Sequence, residues 1–275
     1  LYCQSGYKVR FASDNADHLY LLVASDYFMY GKLSYEIDGD IYYPVQEAKP
    51  VLHICKAKFP NESNLSLGIT KAMQLDNTEA ENRVIKSKAY PDMKIDVAVN
   101  RSLIDFYNTY PSAYTNNDKM TYFRVYADTP MNEDVKKQTY PALRSCLQGL
   151  SEHQAVSRLL NFVQTGFEYE YDETIWGCDR AFFAEETLYY PYCDCEDRSI
   201  LLTRLIRDLL GLDCVLIYYP GHLACAVHFT QKEKGDYYMY NQKEYTVCDP
   251  TYINAPIGVQ MPNFKDKEAT VVPIK

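Results

Sequence analysis

The sequence predicts an α+β protein. A β-rich, sandwich-like domain over residues 1–99 precedes a domain over 100–275 in which a helix packs on an antiparallel sheet. Three observations carry this. Short strand-like segments recur at regular spacing through the first hundred residues and then stop. Two stretches with apolar residues at helical spacing follow, near 151–166 and 195–210. The second runs directly into three β-like segments, so helix comes first and sheet after it, as in α+β folds. The 27 tyrosines among 275 residues add to the β-character, since aromatic residues favour strands and half-wet surfaces.

Taken in order, strands are expected at 7–12, 18–25, 27–37, 41–45, 51–58, 64–75 and 93–99. Asp38-Gly39-Asp40 between two of them is a hairpin signal. Asp38 and Asp40 are turn residues rather than metal ligands, because no glutamate follows at calcium-loop spacing. From Arg101 the texture changes: a short helix at 102–107 opens an irregular lead-in through 144, rich in Tyr, Asn, Asp and Pro. Ser151-Glu152-His153-Gln154 reads as a capping box, followed by apolar Ala155, Val156, Leu159, Leu160 and Val163, with Gly166 as the stop. His153, in the first turn, reads as a surface residue. The helix from 195 to 210 carries Ile200, Leu201, Leu202, Leu205, Ile206, Leu209 and Leu210, a face broad enough to be buried on a sheet. Gly211 stands where a left-handed residue ends a helix. Strands at 213–219, 222–229 and 237–249 follow, the last broken by a turn at 241–243.

Composition excludes several classes. With 47% hydrophobic and 24% charged residues, wholesale disorder is ruled out. The 28 Lys and Arg against 37 Asp and Glu leave a net charge of −9 with no basic stripe, which argues against nucleic acid as a partner. No membrane span is expected, since the most apolar stretches, 19–25 and 214–219, fall far short of the ~20 residues a spanning helix needs. Nine cysteines, an odd number without a C-x-x-C pair, support neither a disulfide framework nor a zinc ribbon; most read as buried free thiols. The start at Leu1 rather than Met reads as a processed product, pointing to an extracytoplasmic (periplasmic or cell-surface) location, while the free thiols point the other way.

One cysteine differs. Cys195 stands at the amino end of the second helix, where unpaired backbone N–H groups and the helix dipole favour a thiolate. Arg198, one turn on, adds positive charge if it turns towards the sulfur. His222 follows Pro220-Gly221 at a strand start, and Asp249 ends a strand just before Pro250-Thr251. Antiparallel neighbours bring the start of one strand beside the end of the next. Cys195, His222 and Asp249 are therefore the candidate catalytic residues: nucleophile, base and orienting carboxylate of an acyl-transfer triad.

Cys193-Asp194-Cys195-Glu196-Asp197, Pro220-Gly221-His222 and Val247-Cys248-Asp249-Pro250-Thr251 resemble the motifs of the transglutaminase-like cysteine protease superfamily. The run Phe182-Phe183-Ala184-Glu185-Glu186-Thr187-Leu188 is similar to that family's approach to its cysteine. The resemblance spans about residues 145–255 and implies a papain-like fold with those same three residues in those same roles. Two positions depart from the family pattern: Cys193 replaces a glycine, and Ala224 replaces an aromatic wall of the acyl channel.

The expected function is thus a thiol hydrolase, a peptidase or amidase acting on peptide or protein substrates through a thioester acyl-enzyme. Attack by an amine instead of water would make it a crosslinking acyltransferase. A non-catalytic peptide- or carbohydrate-binding protein that keeps the triad, and a redox protein using Cys193 and Cys195, are the other readings. No cofactor or metal is expected, because a thiolate needs none for acyl transfer and no phosphate-binding glycine-rich loop is present. A zinc set of Cys193, Cys195, His222 and Cys248 is formally available but matches no compact zinc spacing. His228 lies ~20 Å along the strand from His222 and reads as structural. Asp197 reads as a helix-start acceptor, Trp176 as packing, and Cys225 and Cys248 as core thiols; a second oxyanion donor from Tyr189 or Tyr190 is formally available but disfavoured in so Tyr-rich a chain.

Overall fold

The computed structural model describes residues 3–76, 80–115, 118 and 120–275. Its elements begin with β1 (Val9–Ser13), β2 (Leu19–Ser25), β3 (Tyr27–Met29), β4 (Tyr35–Ile37), β5 (Asp40–Pro44), β6 (His53–Ile54), β7 (Asn82–Lys86) and β8 (Lys94–Ala98). Then come α1 (Arg101–Asn108), β9 (Ala113–Thr115), α2 (Thr121–Asp128), α3 (Glu133–Leu147), α4 (Glu152–Gly166), β10 (Glu168–Tyr169), α5 (Asp172–Ile175) and α6 (Ala184–Tyr189). The chain closes with β11 (Tyr192–Cys193), α7 (Cys195–Leu210), β12 (Cys214–Tyr219), β13 (His222–Val227), β14 (Tyr237–Tyr240), β15 (Lys243–Cys248) and β16 (Thr270–Pro273). The fold is mixed α+β. None of these helices is long and apolar enough to cross a membrane.

The chain forms two compact units, 1–68 with 111–122 and 69–110 with 123–275. The division lies elsewhere than the expected 1–99 and 100–275. Hairpin β7–β8 belongs with the second unit because β8 packs on α3 and β7 on α4. The Gln138 amide completes this, accepting from Ala98 N at 2.8 Å and donating to Ala98 O at 3.2 Å.

The first unit contains one antiparallel sheet in the order β4-β5-β2-β1-β6, with β3 and β9 as a separate ribbon. Its core is Ala12, Tyr20, Leu22, Ala24, Ile37 and Tyr42. Asp38 and Gly39 join β4 to β5 with φ of 53° and 87°, the two left-handed residues of a two-residue hairpin. Arg10 is buried there, held bidentate by Glu62 at 2.7 and 3.2 Å. Two expected strands shrink. Only His53–Ile54 forms within 51–58, and 64–75 contributes a single bridge, Leu65 to Ser25. Neither segment has the sustained apolar alternation that buries one face of a strand.

In the second unit the sheet runs β14-β15-β13-β12-β16, with all pairs antiparallel. Val215, Ile217, Tyr219, Ala224, Ala226 and Tyr245 form the core on one face. Helix α7 packs on β12 and β13, burying Ile200, Leu201, Leu202, Leu205 and Ile206, and α4 packs on α7. Gly211 ends α7 at φ 70°. Two helices, α2 and α3, occupy the lead-in expected to be irregular. Helix α3 contains Pro141, which masks its helical signature; the Asn132 side chain caps it by accepting from Asp134 N and Val135 N. Strand β16, beyond the segment with family resemblance, completes the sheet beside β12.

Gly258 pins the loop after Asp249. Its N–H donates to Val247 O at 2.8 Å, and its carbonyl accepts from Asp236 N at 2.7 Å. A Cβ there would overlap Lys234 O. Gly258→Ala should therefore cost about 2–4 kcal/mol in urea unfolding. Gly149→Ala, with positive φ but open space around it, should cost only about 1–2 kcal/mol.

Candidate functional site

His222 opens β13, and Asp249 follows the last residue of its neighbour β15. The two side chains meet: His222 Nε2 lies 2.9 Å from Asp249 Oδ2, with both side chains buried. Asp249 is held from its other side. Its Oδ1 accepts from Thr251 N at 2.9 Å and Tyr252 N at 3.2 Å. Gln164 Nε2, on α4, reaches the carbonyls of Asp249, Tyr252 and Ala255 at 3.1, 2.9 and 3.1 Å, fixing the loop that carries the carboxylate. With Nε2 committed to Asp249, Nδ1 is the imidazole nitrogen left for proton exchange.

The ring is held flat as well. Phe264 stacks on His222 at 4.7 Å, and Tyr219 lies parallel to the ring at 6.0 Å. Ala224, at the position where the family pattern has an aromatic, faces the core cluster instead. Phe264 stands 42 residues after His222, outside every motif, so no sequence signal pointed to it.

Cys195 is the first residue of α7, with Asp194 as its N-cap. Its Sγ donates to Glu196 Oε2 at 3.1 Å, and no hydrogen bond joins it to His222 among the described residues. The sulfur is nevertheless at the same corner of the fold, since Ser199, one turn on in α7, donates to the carbonyl of Leu223, next to His222, at 2.9 Å, and the Leu223 backbone favours the thiolate. That help is outweighed. Burial, then the charges of Glu196 and Asp194, push the Cys195 thiol far above its ordinary value. The expected acidic thiol at the helix end is thereby corrected: the helix dipole is overridden by burial of the sulfur, with the carboxyls at the same end adding to it.

Arg198 is corrected too. It turns away from Cys195, donating to Cys193 Sγ at 3.4 Å, Gln164 O at 3.3 Å and Phe167 O at 3.1 Å. Its guanidinium lies over the Tyr169 ring at 5.2 Å. Cys193 is pushed up to about 12 by burial, with Arg198 opposing. Both Cys193 and Cys195 are free thiols. Tyr169 is the neighbour that sequence reading missed. Burial and then the Cys195 charge raise its phenol, which keeps its hydroxyl protonated.

The remaining candidates sort by their partners. Asp197 is fully buried, its Oδ1 accepting from Phe182 N at 2.8 Å and its Oδ2 from Asp194 N at 3.1 Å. His228 bonds Glu244 O at 2.9 Å, and exposed His153 bonds Glu233 at 3.0 Å. Cys225 and Cys248 are buried across the β13–β15 ladder, and the zinc set of Cys193, Cys195, His222 and Cys248 does not assemble. Trp176 packs edge-on against Phe182 and Tyr190. Tyr189 OH accepts from Arg101, and Tyr190 OH donates to Asn108, so both phenols already have partners.

No protein-family model matches the chain, and no curated protein matches it.

The approach segment is built on two buried carboxyls. Glu185 accepts from Asn132 N, and Glu186 Oε2 accepts from Phe183 N at 3.0 Å while pairing with Arg180. Burial raises Glu186 from 4.5 to about 7. A carboxyl whose folded pKa is raised contributes stability that is complete below its unfolded pKa and is lost as pH rises through the folded one. Glu186 should therefore make unfolding easier between about pH 4.5 and pH 7. Urea midpoints across that range should fall less steeply in Glu186→Gln than in the parent protein.

Proposed function

We propose that this protein is a cysteine-dependent acyl-transfer enzyme of the transglutaminase-like type, hydrolysing amide bonds in peptides. In this reading 145–255 takes a papain-like arrangement, with α7 supplying the nucleophile and the sheet supplying base and carboxylate. The observation that carries it is the His222–Asp249 pair: a buried imidazole with one nitrogen fixed at 2.9 Å and its carboxylate locked by two backbone N–H groups. Such restraint serves a proton-transfer group better than a packing residue.

The raised thiol sets the form of the first step. Cys195 rests protonated, so sulfur attack and proton transfer to His222 Nδ1 are concerted rather than starting from a stored ion pair. The sulfur forms a bond to the substrate carbonyl carbon, and the carbonyl π-electrons move onto oxygen. Backbone N–H groups at the start of α7 and the Tyr169 hydroxyl are the donors for that oxyanion. On collapse, the amine leaves with the proton from His222, giving a thioester. Water, deprotonated by the same imidazole, then releases the acid and restores the thiol. An amine in place of water would give transamidation.

The first test is turnover of a peptide library followed by mass spectrometry. Cys195→Ala and His222→Ala should each lower it by roughly 10³-fold or more, and Asp249→Asn by about 10²–10⁴-fold. Unchanged turnover in Cys195→Ala would end the enzymatic reading. Tyr169→Phe should reduce kcat by about 10–100-fold with KM little changed, as loss of an oxyanion donor requires. The competing reading is a non-catalytic peptide binder. It draws on the Glu196–Cys195 hydrogen bond, which holds the thiol proton away from the imidazole. Peptide binding without turnover, kept in Cys195→Ala, would support it.

A further inference from the structure

Gln164 is an amide within a largely apolar stretch of α4. It follows Leu159, Leu160, Phe162 and Val163 and is only 2% exposed, so its polar atoms must be met inside the protein. Its Nε2 faces three carbonyls, those of Asp249 at 3.1 Å, Tyr252 at 2.9 Å and Ala255 at 3.1 Å. An amide nitrogen carries two hydrogens, so one of them is shared between two acceptors. All three carbonyls belong to one short stretch of chain, and that stretch begins with the residue that holds the imidazole.

The loop so braced touches His222 at both of its ends. Asp249 meets the ring edge, with Nε2 to Oδ2 at 2.9 Å, and Phe264 stacks on the ring face at 4.7 Å. Between these ends the loop is bonded to itself: Ala255 N donates to Tyr252 O at 3.0 Å, Val259 N to Pro256 O at 3.3 Å, and Gln260 Nε2 to Phe264 O at 2.8 Å. Gly258 N and Gln260 N fasten it to Val247 O and Asp236 Oδ2 at 2.8 and 2.9 Å. Such a loop moves as a unit, and its hold on α4 is the Gln164 amide. The main chain of the same residue faces the other way, towards the helix of the nucleophile: Gln164 O accepts from Arg198 Nη1 at 3.3 Å. One residue of α4 thus touches the carboxylate loop directly and, through Arg198, the helix that begins with Cys195.

We propose that Gln164 is a positioning residue for acyl transfer, bracing Asp249 and Phe264 against α4 so that the imidazole keeps one orientation relative to the start of α7. It acts through Asp249 and not on the reacting atoms. Meeting buried carbonyls is by itself a stability role. Location adds the second role, because the carbonyls it meets start at the residue that fixes His222, and a displacement of about 1 Å there costs on the order of 10²-fold in rate. The kinetic consequence rests on the acyl-transfer reading; the consequence for the imidazole does not.

The experiment uses the full chain carrying Gln164→Met, which keeps the length of the side chain and removes its donors. Gln164→Asn, with the amide drawn back by one methylene, takes its place if the first variant does not fold. Val163→Ala, at a buried apolar position of α4, is the control for lost stability. Two quantities are measured: kcat and KM on a peptide that the parent protein turns over, and the His222 tautomer by nitrogen-15 NMR at a pH where the ring is neutral. Gln164→Met should lower kcat by about 10–100-fold with KM within about twofold of the parent. The parent should show His222 protonated at Nε2 alone, and Gln164→Met a mixture of Nε2–H and Nδ1–H forms, because the bond to Asp249 sets the tautomer. Val163→Ala should lower the urea midpoint and leave kcat and tautomer as in the parent. Parental kcat with a single tautomer in folded Gln164→Met would overturn the proposal, and so would an equal loss of kcat in Val163→Ala. If the parent shows no turnover that depends on Cys195, the acyl-transfer reading fails instead, and the tautomer alone decides whether Gln164 fixes the imidazole.

Discussion

The second unit depends on burying α7 along three-quarters of its length. Twelve consecutive residues, Cys195 through Ile206, are shielded from solvent, although six of them are polar or charged. Apolar residues on one side of such a helix are stabilised by area alone, and the polar ones survive only if every donor and acceptor is met. Here most are met by backbone. Ser199 Oγ donates to Leu223 O, Thr203 Oγ1 to Ile200 O, and Arg198 to two carbonyls of the α4–β10 stretch. The Ser199 and Arg198 bonds tie α7 to β13 and to the end of α4 at fixed positions. They bring the first residue of the helix to the corner where His222 begins its strand.

This explains why the middle of the site was legible in sequence and its rim was not. The α7 period, its glycine stop, and the strand starts and ends bearing His222 and Asp249 are local patterns. Each survives folding because burial of a periodic face demands it. Helix α3 was not legible because Pro141 interrupts the very pattern that identifies helices. Phe264 and Tyr169 were not legible because contact across the fold, not spacing along it, brings them to the imidazole and to the Arg198 guanidinium. Pairing at the sheet edge likewise depends on β16, which lies beyond all the motifs. The shift of the unit boundary has the same origin: the β7–β8 hairpin looks like its neighbours in sequence, but its partners are α3 and α4.

Electrostatics at the helix start shows where a general rule meets its local limit. A helix amino terminus stabilises an anion by a fraction of a unit charge, spread over its first turn. Asp194, Glu196 and Asp197 crowd three carboxyls into that same buried turn, one of them against the sulfur, and burial raises all three. The dipole contribution is about 0.3–1 kcal/mol at exposed ends and up to ~2 kcal/mol when partly buried. Taking the sulfur out of water outweighs it, and the neighbouring carboxyls act in the same direction. Burial first and the neighbouring carboxyls second therefore decide the resting state of the thiol, and the dipole does not.

The same comparison assigns separate tasks to the two sides of the corner. On the sheet side, the charge-bearing pair is answered: one imidazole nitrogen by Asp249, and Asp249 in turn by Thr251, Tyr252 and the loop braced by Gln164. A group held so completely has one geometry and one free nitrogen. On the helix side, Asp194 Oδ1 is unanswered and Glu196 already holds the thiol proton. The fold has fixed the proton acceptor while leaving the nucleophile's surroundings short of positive charge. Any chemistry at Cys195 is therefore governed by what neutralises the amino end of α7, because nothing on the sheet side is left to adjust.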